Sequence, residues 1–383
     1  MKRKYWIVAS LVLVVLAALL LPACAEEQPA TTTTSTVSST QPPPPPPPPA
    51  EVKTIKISYS CPVGKGYSAG EIWFGPEFEK RTNGRYKVEL YGASTLVPIT
   101  AVLDSVKKGV VQIGLTSTAQ FAKDFPLSML PQTMTLGWPS TAVTPKWYDA
   151  ATPAFEEFAK IPEVAAELNN GFTYGGNDLL SSSMILMKKK EIHVPADFKG
   201  TTMSAIGAFA EVVKANGGAT VAVVTPEIYM NLDKGAIDGA SVSPTMITDW
   251  KLQSIADYMF AIDMGTGNMV ILYNNDFYKS LSAADKKIFD DTRAEAWPIC
   301  RDFMLAADTK ALATLAAEGK KIVQPSASDL AAWKATVQEI MLPKWRNDAK
   351  SVGISDATLD KVYNAWLEIR TKYWKQVGLP GEP

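Results

Sequence analysis

The chain has 383 residues, of which 46% are apolar and 20% are charged, and its formal net charge is -1 at pH 7. This composition is typical of a globular protein, and the length favours two domains. A nearly neutral chain has neither the basic footprint of a nucleic-acid-binding protein nor a cationic stripe for anionic lipid, so the composition argues against both kinds of partner.

The N-terminus has the pattern of an export signal. Three basic residues, 2–4, precede an apolar run over 6–21 that closes on "LPAC" with Cys24. A small residue before a cysteine at this place resembles a bacterial lipobox, which implies cleavage before Cys24 and lipidation of its thiol. A signal-anchor helix with an incidental cysteine is the alternative. Residues 1–24 are therefore expected to be a lipoprotein signal peptide, and the protein to be extracytoplasmic (periplasmic or at the cell surface) and anchored to the cell membrane.

A stretch without core-forming residues follows. Residues 25–50 include "TTTTSTVSSTQPPPPPPPPA", which is rich in hydroxyl side chains and then in proline. Such a composition is typical of a disordered linker. Eight prolines in the polyproline II conformation extend roughly 25 Å at about 3.1 Å per residue, so the folded body would stand clear of the bilayer and stay tethered to it.

Strand and helix patterns alternate from residue 51 onward. "TIKISYS" alternates apolar and polar positions as a half-buried strand does, and "AGEIWFGPEFEKRTNG" then has a helical pattern. The strand "YKVELY", a helix opened by Pro98 and closed by Gly109, and the buried strand "VVQIGLT" follow. This order predicts a parallel sheet with helices on both faces.

The sequence contains an internal repeat. "VKKGVVQIGLTST" (106–118) matches "LDKGAIDGASVSP" (232–244) position by position, and the helix before the second copy opens with Pro226 capped by Thr225. The repeat predicts two similar α/β lobes with a cleft between their strand ends. Ser117 and Ser243 take equivalent positions at those ends, where they could contact a ligand or merely cap turns.

The last third of the chain is helical. One long segment starts at a capping Ser282, contains Pro298 as an expected interruption and ends at Gly319. A final amphipathic helix from Leu359 to about Val377 has one apolar stripe. That stripe fits the protein core better than a partner or membrane surface.

The sequence offers little for catalysis. Its single histidine, His193, lies in a charged run before a proline, which leaves no Ser-His-Asp triad and no multi-histidine metal site. The loop "GKGYSAGEIW" resembles a dinucleotide loop only weakly and lacks the later acidic residue. We therefore expect no enzyme activity, cofactor or metal; an exported oxidoreductase or hydrolase is the alternative. Cys61 and Cys300 could form a disulfide or remain free thiols.

Several segments in order resemble one known family. "FEKRTNGRYKVELYGASTL", "SVKKGVVQIG", "VPADFKGTTM", "TPEIYMNLDKGAIDG" and "NNDFYKSLSAADKKIFDDTRAEA" are similar to solute receptors of tripartite ATP-independent periplasmic (TRAP) transporters of the dicarboxylate-receptor type. The resemblance spans 51 to about 345. It implies an α/β, two-lobed, periplasmic-binding-protein-like clamshell (type II-like) of mixed sheets flanked by helices. A long bracing helix and a helical C-terminus complete this expected fold.

The same resemblance implies the domain limits and the partners. Lobe I is expected at 51–172 plus about 263–303, and lobe II at 173–262 plus about 304–345. The C-terminal helix is expected at 346–383. The receptor would close on a small organic solute and deliver it to TRAP membrane subunits driven by an ion gradient. A ligand-sensing partner of a membrane signalling receptor is the alternative from another class.

The chain departs from the family at the ligand. The arginine with which the family clamps a carboxylate corresponds to Ser204, and a second arginine of sialic-acid-type members falls near Met184; no arginine occurs between Arg85 and Arg293. The acid and tryptophan of metal-dependent members are also missing, since 240–242 read Ala-Ser-Val. A neutral, aromatic or weakly polar solute is therefore expected. The lysines at 188–190 could add positive charge, or form a surface charge run.

We predict eight ligand-binding residues from both lobes and the returning strand. They are Ser117, Gln120, Trp138, Met184, Ser204, Tyr229, Ser243 and Asn268.

Overall fold

A computed structural model describes residues 51–134, 146–223, 227–265 and 267–378. Within these ranges the strands are β1 (Lys53–Ser58), β2 (Tyr86–Tyr91), β3 (Ile113–Ser117), β4 (Thr173–Leu179), β5 (Met184–Met187), β6 (Thr202–Ser204), β7 (Ala219–Val221), β8 (Gly239–Val242), β9 (Tyr258–Phe260), β10 (Asn268–Tyr273) and β11 (Lys321–Val323).

The α-helices of the described ranges follow the predicted alternation. They are α1 (Ser68–Arg81), α2 (Val102–Lys107), α3 (Leu130–Met134), α4 (Trp147–Phe158), α5 (Pro162–Leu168), α6 (Gly207–Ala215), α7 (Ile228–Asp233), α8 (Pro244–Asp249), α9 (Asn275–Ser280), α10 (Ala283–Ala317), α11 (Ala327–Thr336), α12 (Leu342–Ser351) and α13 (Asp356–Gln376).

The first sheet has the strand order β2-β1-β3-β10-β4. Its first three strands are parallel, as the βαβαβ pattern predicts, and Ile57 of β1 lies between Leu90 and Ile113. Ile55 and Ile57 are fully buried because alternate side chains of β1 face the helices. The sheet is mixed, since β10 runs antiparallel to both β3 and β4. Strand β10 enters the sheet from about 150 residues later in the chain, so the local alternation could not reveal this pairing.

The second sheet has the strand order β11-β9-β5-β8-β6-β7. Strands β6 and β8 are parallel, and β5 runs antiparallel to β8 and β9. Two mixed sheets flanked by helices confirm the predicted two-lobed α/β class. We refer to the parts of the chain around the five-stranded and six-stranded sheets as the first and second lobes.

Two short segments connect the sheets. Residues 180–183 lead from β4 to β5, and the described residues between β9 and β10, 261–265 and 267, lead back. They lie side by side, because Leu180 N donates to Gly267 O at 2.9 Å and Met264 N approaches Ser183 O at 3.4 Å. These crossing segments join the lobes as a clamshell requires. The boundary between the lobes was predicted at residue 173, before β4. The pairing of β4 with β10 of the first sheet favours a crossing after Leu179 instead.

Helix α10 is 35 residues long and extends about 52 Å at 1.5 Å per residue. Ser282 Oγ accepts a hydrogen bond from Asp285 N at 3.0 Å, as its predicted capping role requires. The helix packs against α1 of the first lobe and α8 of the second, so it braces both. The predicted interruption at Pro298 is wrong. Pro298 is exposed, so water can reach the carbonyl of Ala294 that lacks its helical donor.

Helix α13 contributes its apolar stripe to the core. Leu359, Val362 and Trp366 are buried, and the Trp366 ring packs edge-on against Phe155 and Phe158 of α4 at 5.6 and 5.3 Å. Burial of that stripe confirms its prediction as core. In the ranges that the structure covers, no helix combines the length and the apolar character needed to cross a bilayer.

Candidate functional site

The strand ends of both sheets meet the crossing segments. In the first sheet Ser117 pairs with Met269, and Asn268 pairs with Leu179. In the second sheet Met184 pairs with Val242. These register positions lie directly beside 180–183 or 261–267, so the structure brings the predicted strand-end residues to the region between the lobes.

Ser117 and Ser243 are structurally equivalent, as the repeat predicts. Ser117 Oγ accepts a hydrogen bond from Ala119 N at 3.2 Å, and Ser243 Oγ accepts one from Met246 N at 3.3 Å. Each hydroxyl therefore caps the helical turn that follows its strand. Capping uses one acceptor position, and each O–H can still donate to another group.

Asn268 has an unfilled hydrogen-bonding position. The residue is 4% exposed at the start of β10, and its Oδ1 is buried without a partner. Thr116, opposite Val270 on the neighbouring strand, also has a buried hydroxyl without a partner. Native proteins satisfy most buried polar groups, so such atoms indicate a site for water or a ligand. Thr116 was not among the predicted site residues, although its place in "GLTST" beside Ser117 was a usable signal.

The second-lobe residues differ in their surroundings. Ser204 ends β6 opposite Ala240 and is 9% exposed. Met184 is fully buried in a hydrophobic cluster, and Tyr229 packs half-buried against that cluster. The structure therefore gives Met184 a packing role, and its contact with a ligand stays a prediction.

Of the two remaining predicted positions, the structure describes one. Gln120 is exposed in the short turn Thr118–Phe121 that follows β3. Trp138 lies outside the described residues, as do Cys24 and the predicted Thr225 and Pro226 helix start.

None of the arginines in the described part of the chain lies on a strand of the second sheet. They lie on α1, in the turn before β2, on α10, on α12 and on α13: Arg81, Arg85, Arg293, Arg301, Arg346 and Arg370. Arg81, Arg85, Arg293, Arg301 and Arg346 are ion-paired with carboxylates of the chain itself.

The neighbouring lysines have structural partners. Lys188 Nζ donates to the carbonyl oxygens of Leu232 and Asp233 at 2.7 and 2.8 Å, which are the last carbonyls of α7. Lys190 Nζ donates to the carbonyl oxygens of Asp197 and Lys199. Both ammonium groups therefore stabilise the backbone of the second lobe.

The described residues contain neither a disulfide nor an arrangement of side chains for a metal ion. Cys61 and Cys300 are free, and burial raises the pKa of Cys61 to about 11. Among the residues described by the structure, no group of three or more His, Cys, Asp or Glu side chains is arranged to hold a metal ion.

A cavity of about 440 Å³ lies in the first lobe, bordered by α1, α4, α10 and the edge strand β4. None of the seven predicted ligand-binding residues that the structure describes belongs to its lining. The cavity is therefore distinct from the strand-end site.

The fold and the strand-end site define a two-lobed solute-binding receptor. The profile of the DctP family, described as bacterial extracellular solute-binding protein, family 7, matches residues 72–347. The chain belongs to this family, which comprises the solute receptors of TRAP transporters. This confirms the predicted resemblance.

Two characterised relatives are similar over most of their lengths. A monocarboxylate 2-oxoacid-binding periplasmic protein of Nostoc sp. is 26% identical over 328 residues, which cover 84% of this chain and 86% of the relative. A C4-dicarboxylate-binding periplasmic protein of Rhodobacter capsulatus is 23% identical over 318 residues, which cover 79% and 89%.

Solved structures share the fold at low sequence identity. A marine metagenome TRAP solute-binding protein specific for aromatic acid ligands, solved with metahydroxyphenylacetate, has a TM-score of 0.70 and 22% identity over 84% of this chain and 99% of that one. A TRAP protein of Rhodoferax ferrireducens with copurified benzoate has a TM-score of 0.68 and 20% identity over the same shares.

Proposed function

We propose that this chain is a membrane-tethered extracytoplasmic receptor that closes on a small aromatic or weakly polar solute and delivers it to ion-gradient-driven TRAP membrane subunits. Uncharged groups, rather than an arginine, recognise the polar end of the solute. The observation that carries the proposal is the unpartnered, buried Oδ1 of Asn268 at the strand ends.

The hydrogen-bonding inventory supports an uncharged mode of recognition. Asn268, Ser117 and Ser204 offer amide and hydroxyl groups at the ends of the sheets. A buried polar atom without a partner costs about 1 to 3 kcal/mol, and a solute hydroxyl or amide that pairs with Asn268 recovers part of that cost.

The placement of positive charge supports the same view. Lys188 and Lys190 are bound to backbone carbonyls, and five arginines are paired with carboxylates of the chain. The similar structures with aromatic acids point to a ring-shaped ligand. In this chain the polar substituent of the ring would meet Asn268 and serine hydroxyls.

A thermal-shift screen of the full chain tests the proposal. Phenols, aromatic amides, aromatic acids and dicarboxylates are compared, and a ligand at 100 times its dissociation constant adds about 2.7 kcal/mol of stability. Asn268→Leu should weaken the best ligand about 5- to 150-fold, since one hydrogen bond to a buried group is lost. Asn170→Leu is the matched control, because Asn170 is exposed in the same lobe. Equal ligand binding by both variants would contradict the proposal.

The tether has its own test. Cys24→Ser should release the protein from membranes into the soluble extracytoplasmic fraction, and labelled fatty acid should be incorporated into the wild type only. Retention of the Cys24→Ser variant in the membrane would favour the signal-anchor alternative.

A further inference from the structure

The first-lobe cavity combines acidic and aromatic side chains. Its volume of about 440 Å³ lies within the range of about 300 to 1,000 Å³ that is typical of small-molecule sites. Four acids contribute to the lining, namely Glu71, Glu156, Asp178 and Asp290. Two bases, Lys160 and Arg293, oppose them, so the fully ionised lining would carry a net charge of -2.

The ion pair inside the cavity leaves hydrogen-bonding positions unfilled. Arg293 Nη1 donates to Glu71 Oε2 at 2.7 Å, and the Glu71 side chain is fully buried. The second carboxylate oxygen of Glu71, Oε1, has no partner, and neither does Arg293 Nε. Buried charged groups normally use all their hydrogen-bonding capacity, so the free acceptor of Glu71 indicates a binding partner that donates a hydrogen bond.

Asn177 provides a second unfilled acceptor on the same cavity. It is 4% exposed, and its Nδ2 donates to Tyr174 Oη, whereas its Oδ1 is buried without a partner. Glu71 Oε1 on α1 and Asn177 Oδ1 on β4 are both acceptors. An occupant that donates hydrogen bonds would satisfy both.

Aromatic rings and glycines complete the lining. Tyr174, Tyr273, Tyr278 and Trp297 all border the cavity. Aromatic faces attract organic cations, by about 0.5 to 2 kcal/mol each. Gly176 has φ 124°, a conformation that favours glycine, and its lack of a side chain keeps the edge of β4 open toward Glu156.

We propose that this cavity is a second ligand site, distinct from the strand-end site, and that it binds a small organic cation with a primary ammonium or guanidinium group. N–H donors match the unpartnered acceptors, positive charge matches the acidic lining, and the rings favour an organic cation over a hydrated ion. Within the described ranges no cluster of His, Cys, Asp or Glu fits a metal ion, which also favours an organic occupant.

Titration of the lining supports this assignment. Burial, followed by the Glu71 carboxylate, raises the pKa of Asp178 to about 7, and Arg293 opposes the shift. Burial also raises the pKa of Glu156. The titratable groups that interact with Asp178 come from α1, α4, β4 and α10, and they are Glu71, Glu156, Tyr174, Arg293 and Cys300. The other titratable residues of the lining are Lys160, Tyr273, Tyr278 and Asp290. A bound cation stabilises both carboxylates in their charged form, so it should bind more tightly as the pH rises through about 7.

Calorimetry with the full chain tests the proposal. The probes are butylamine and agmatine, with butyrate as an anion of similar size. Both amines should bind at millimolar or lower concentration near pH 8 and more weakly near pH 6, and butyrate should not bind. Amine binding that is absent at pH 8, or equalled by butyrate, would overturn the proposal.

Substitutions of opposite charge can be compared at one exposed residue of the lining. Ala294 is exposed on α10 and borders the cavity, so substitutions there should leave folding intact. Ala294→Lys places an ammonium at the cavity mouth and should weaken amine binding at least about ten-fold. Ala294→Glu should preserve or strengthen it. Equal effects of the two variants would overturn the proposal.

One further variant separates the two sites. Asn268→Leu changes the strand-end site only and should leave the affinity for both amines unchanged. Loss of amine binding in Asn268→Leu would place the amines in the strand-end site and overturn the assignment to the cavity. Failure of Asn268→Leu to affect the aromatic ligand would instead contradict the proposed receptor site.

Discussion

Thr245 Oγ1 donates a hydrogen bond to Asp308 Oδ1 at 2.6 Å and ties α8 of the second lobe to the bracing helix α10. The other carboxylate oxygen of Asp308 lies 3.5 Å from the hydroxyl of Tyr148 on α4 of the first lobe. One buried carboxylate on α10 therefore contacts both lobes, so α10 is coupled to each of them by side-chain chemistry as well as by packing.

Removing the Thr245 hydroxyl should destabilise the protein. Thr245→Val keeps the shape of the side chain but takes a donor from a buried carboxylate, which should cost about 1 to 3 kcal/mol of unfolding free energy. Urea unfolding measures this loss. Thr309→Val is the matched control, because Thr309 is exposed on α10 and donates to Leu305 O of its own helix. If Thr309→Val lost as much unfolding free energy as Thr245→Val, a special role for the contact with Asp308 would be contradicted.

The contact between the crossing segments should depend on residue size. A Cβ at Gly267 would lie 2.6 Å from Leu180 Cδ1, closer than Cβ atoms in folded proteins approach other non-bonded atoms. Gly267→Ala should therefore destabilise the protein by about 1 to 3 kcal/mol, and the additional substitution Leu180→Ala should recover part of that loss. Unfolding of the single and double variants measures the coupling. Additive losses in the double variant would show that the clash is absent.

Loss of the proton from Asp178 should lower the free energy of unfolding as the pH rises. Its folded-state pKa of about 7 lies above the ordinary value of 3.8, so the folded state binds the proton more tightly than the unfolded state does. The resulting stabilisation is complete below the ordinary value and is lost as the pH rises through about 7. Carboxyls with lowered pKa values, such as Glu157 beside Lys372, act oppositely and lose their contribution in acid.

Asp178→Asn isolates the contribution of this group. The variant keeps the shape but cannot ionise, so its stability relative to wild type should increase between about pH 5 and pH 8. Thermal unfolding across this range measures the difference. Asp104→Asn removes an exposed carboxylate of the same lobe and should show no such trend. A pH-independent difference for Asp178→Asn would contradict the raised pKa.

Restoring a guanidinium should change ligand preference. We predict from the sequence pattern that Ser204 takes the place of the arginine with which the family clamps a carboxylate. Ser204→Arg should therefore strengthen binding of benzoate about 10- to 150-fold by adding a charge-assisted hydrogen bond. Ser204→Met, which is long but uncharged, is the control. Calorimetry compares the benzoate affinities of the two variants. An equal change of affinity in both would contradict the prediction that Ser204 contacts the ligand.

Much of the fold was predictable from local patterns. The strand Tyr86–Tyr91, the Ser282 cap and the buried stripe of α13 all follow directly from periodicity and capping chemistry. Local patterns could not predict that β10 inserts antiparallel between β3 and β4, because this pairing joins segments far apart in the chain. The continuous helix through Pro298 depends on solvent exposure, which local proline rules do not include.

The candidate site was predictable only in part. The repeat located Ser117 and Ser243, but it could not show that both hydroxyls already cap helical turns. Strand β5 is buried on both faces, so Met184 packs in a hydrophobic cluster whichever face it occupies. The cavity around Glu71 and Arg293 was invisible in sequence, because the two residues are 222 positions apart.

The most direct test of the account is a calorimetric comparison of three ligands with the full chain. They are neutral 3-hydroxybenzamide, its acid 3-hydroxybenzoate, and the dicarboxylate succinate. Recognition by uncharged groups predicts that the amide binds at least as tightly as the acid and that succinate does not bind. Tight succinate binding without amide binding would show that the strand-end site recognises carboxylates, and it would contradict the central claim.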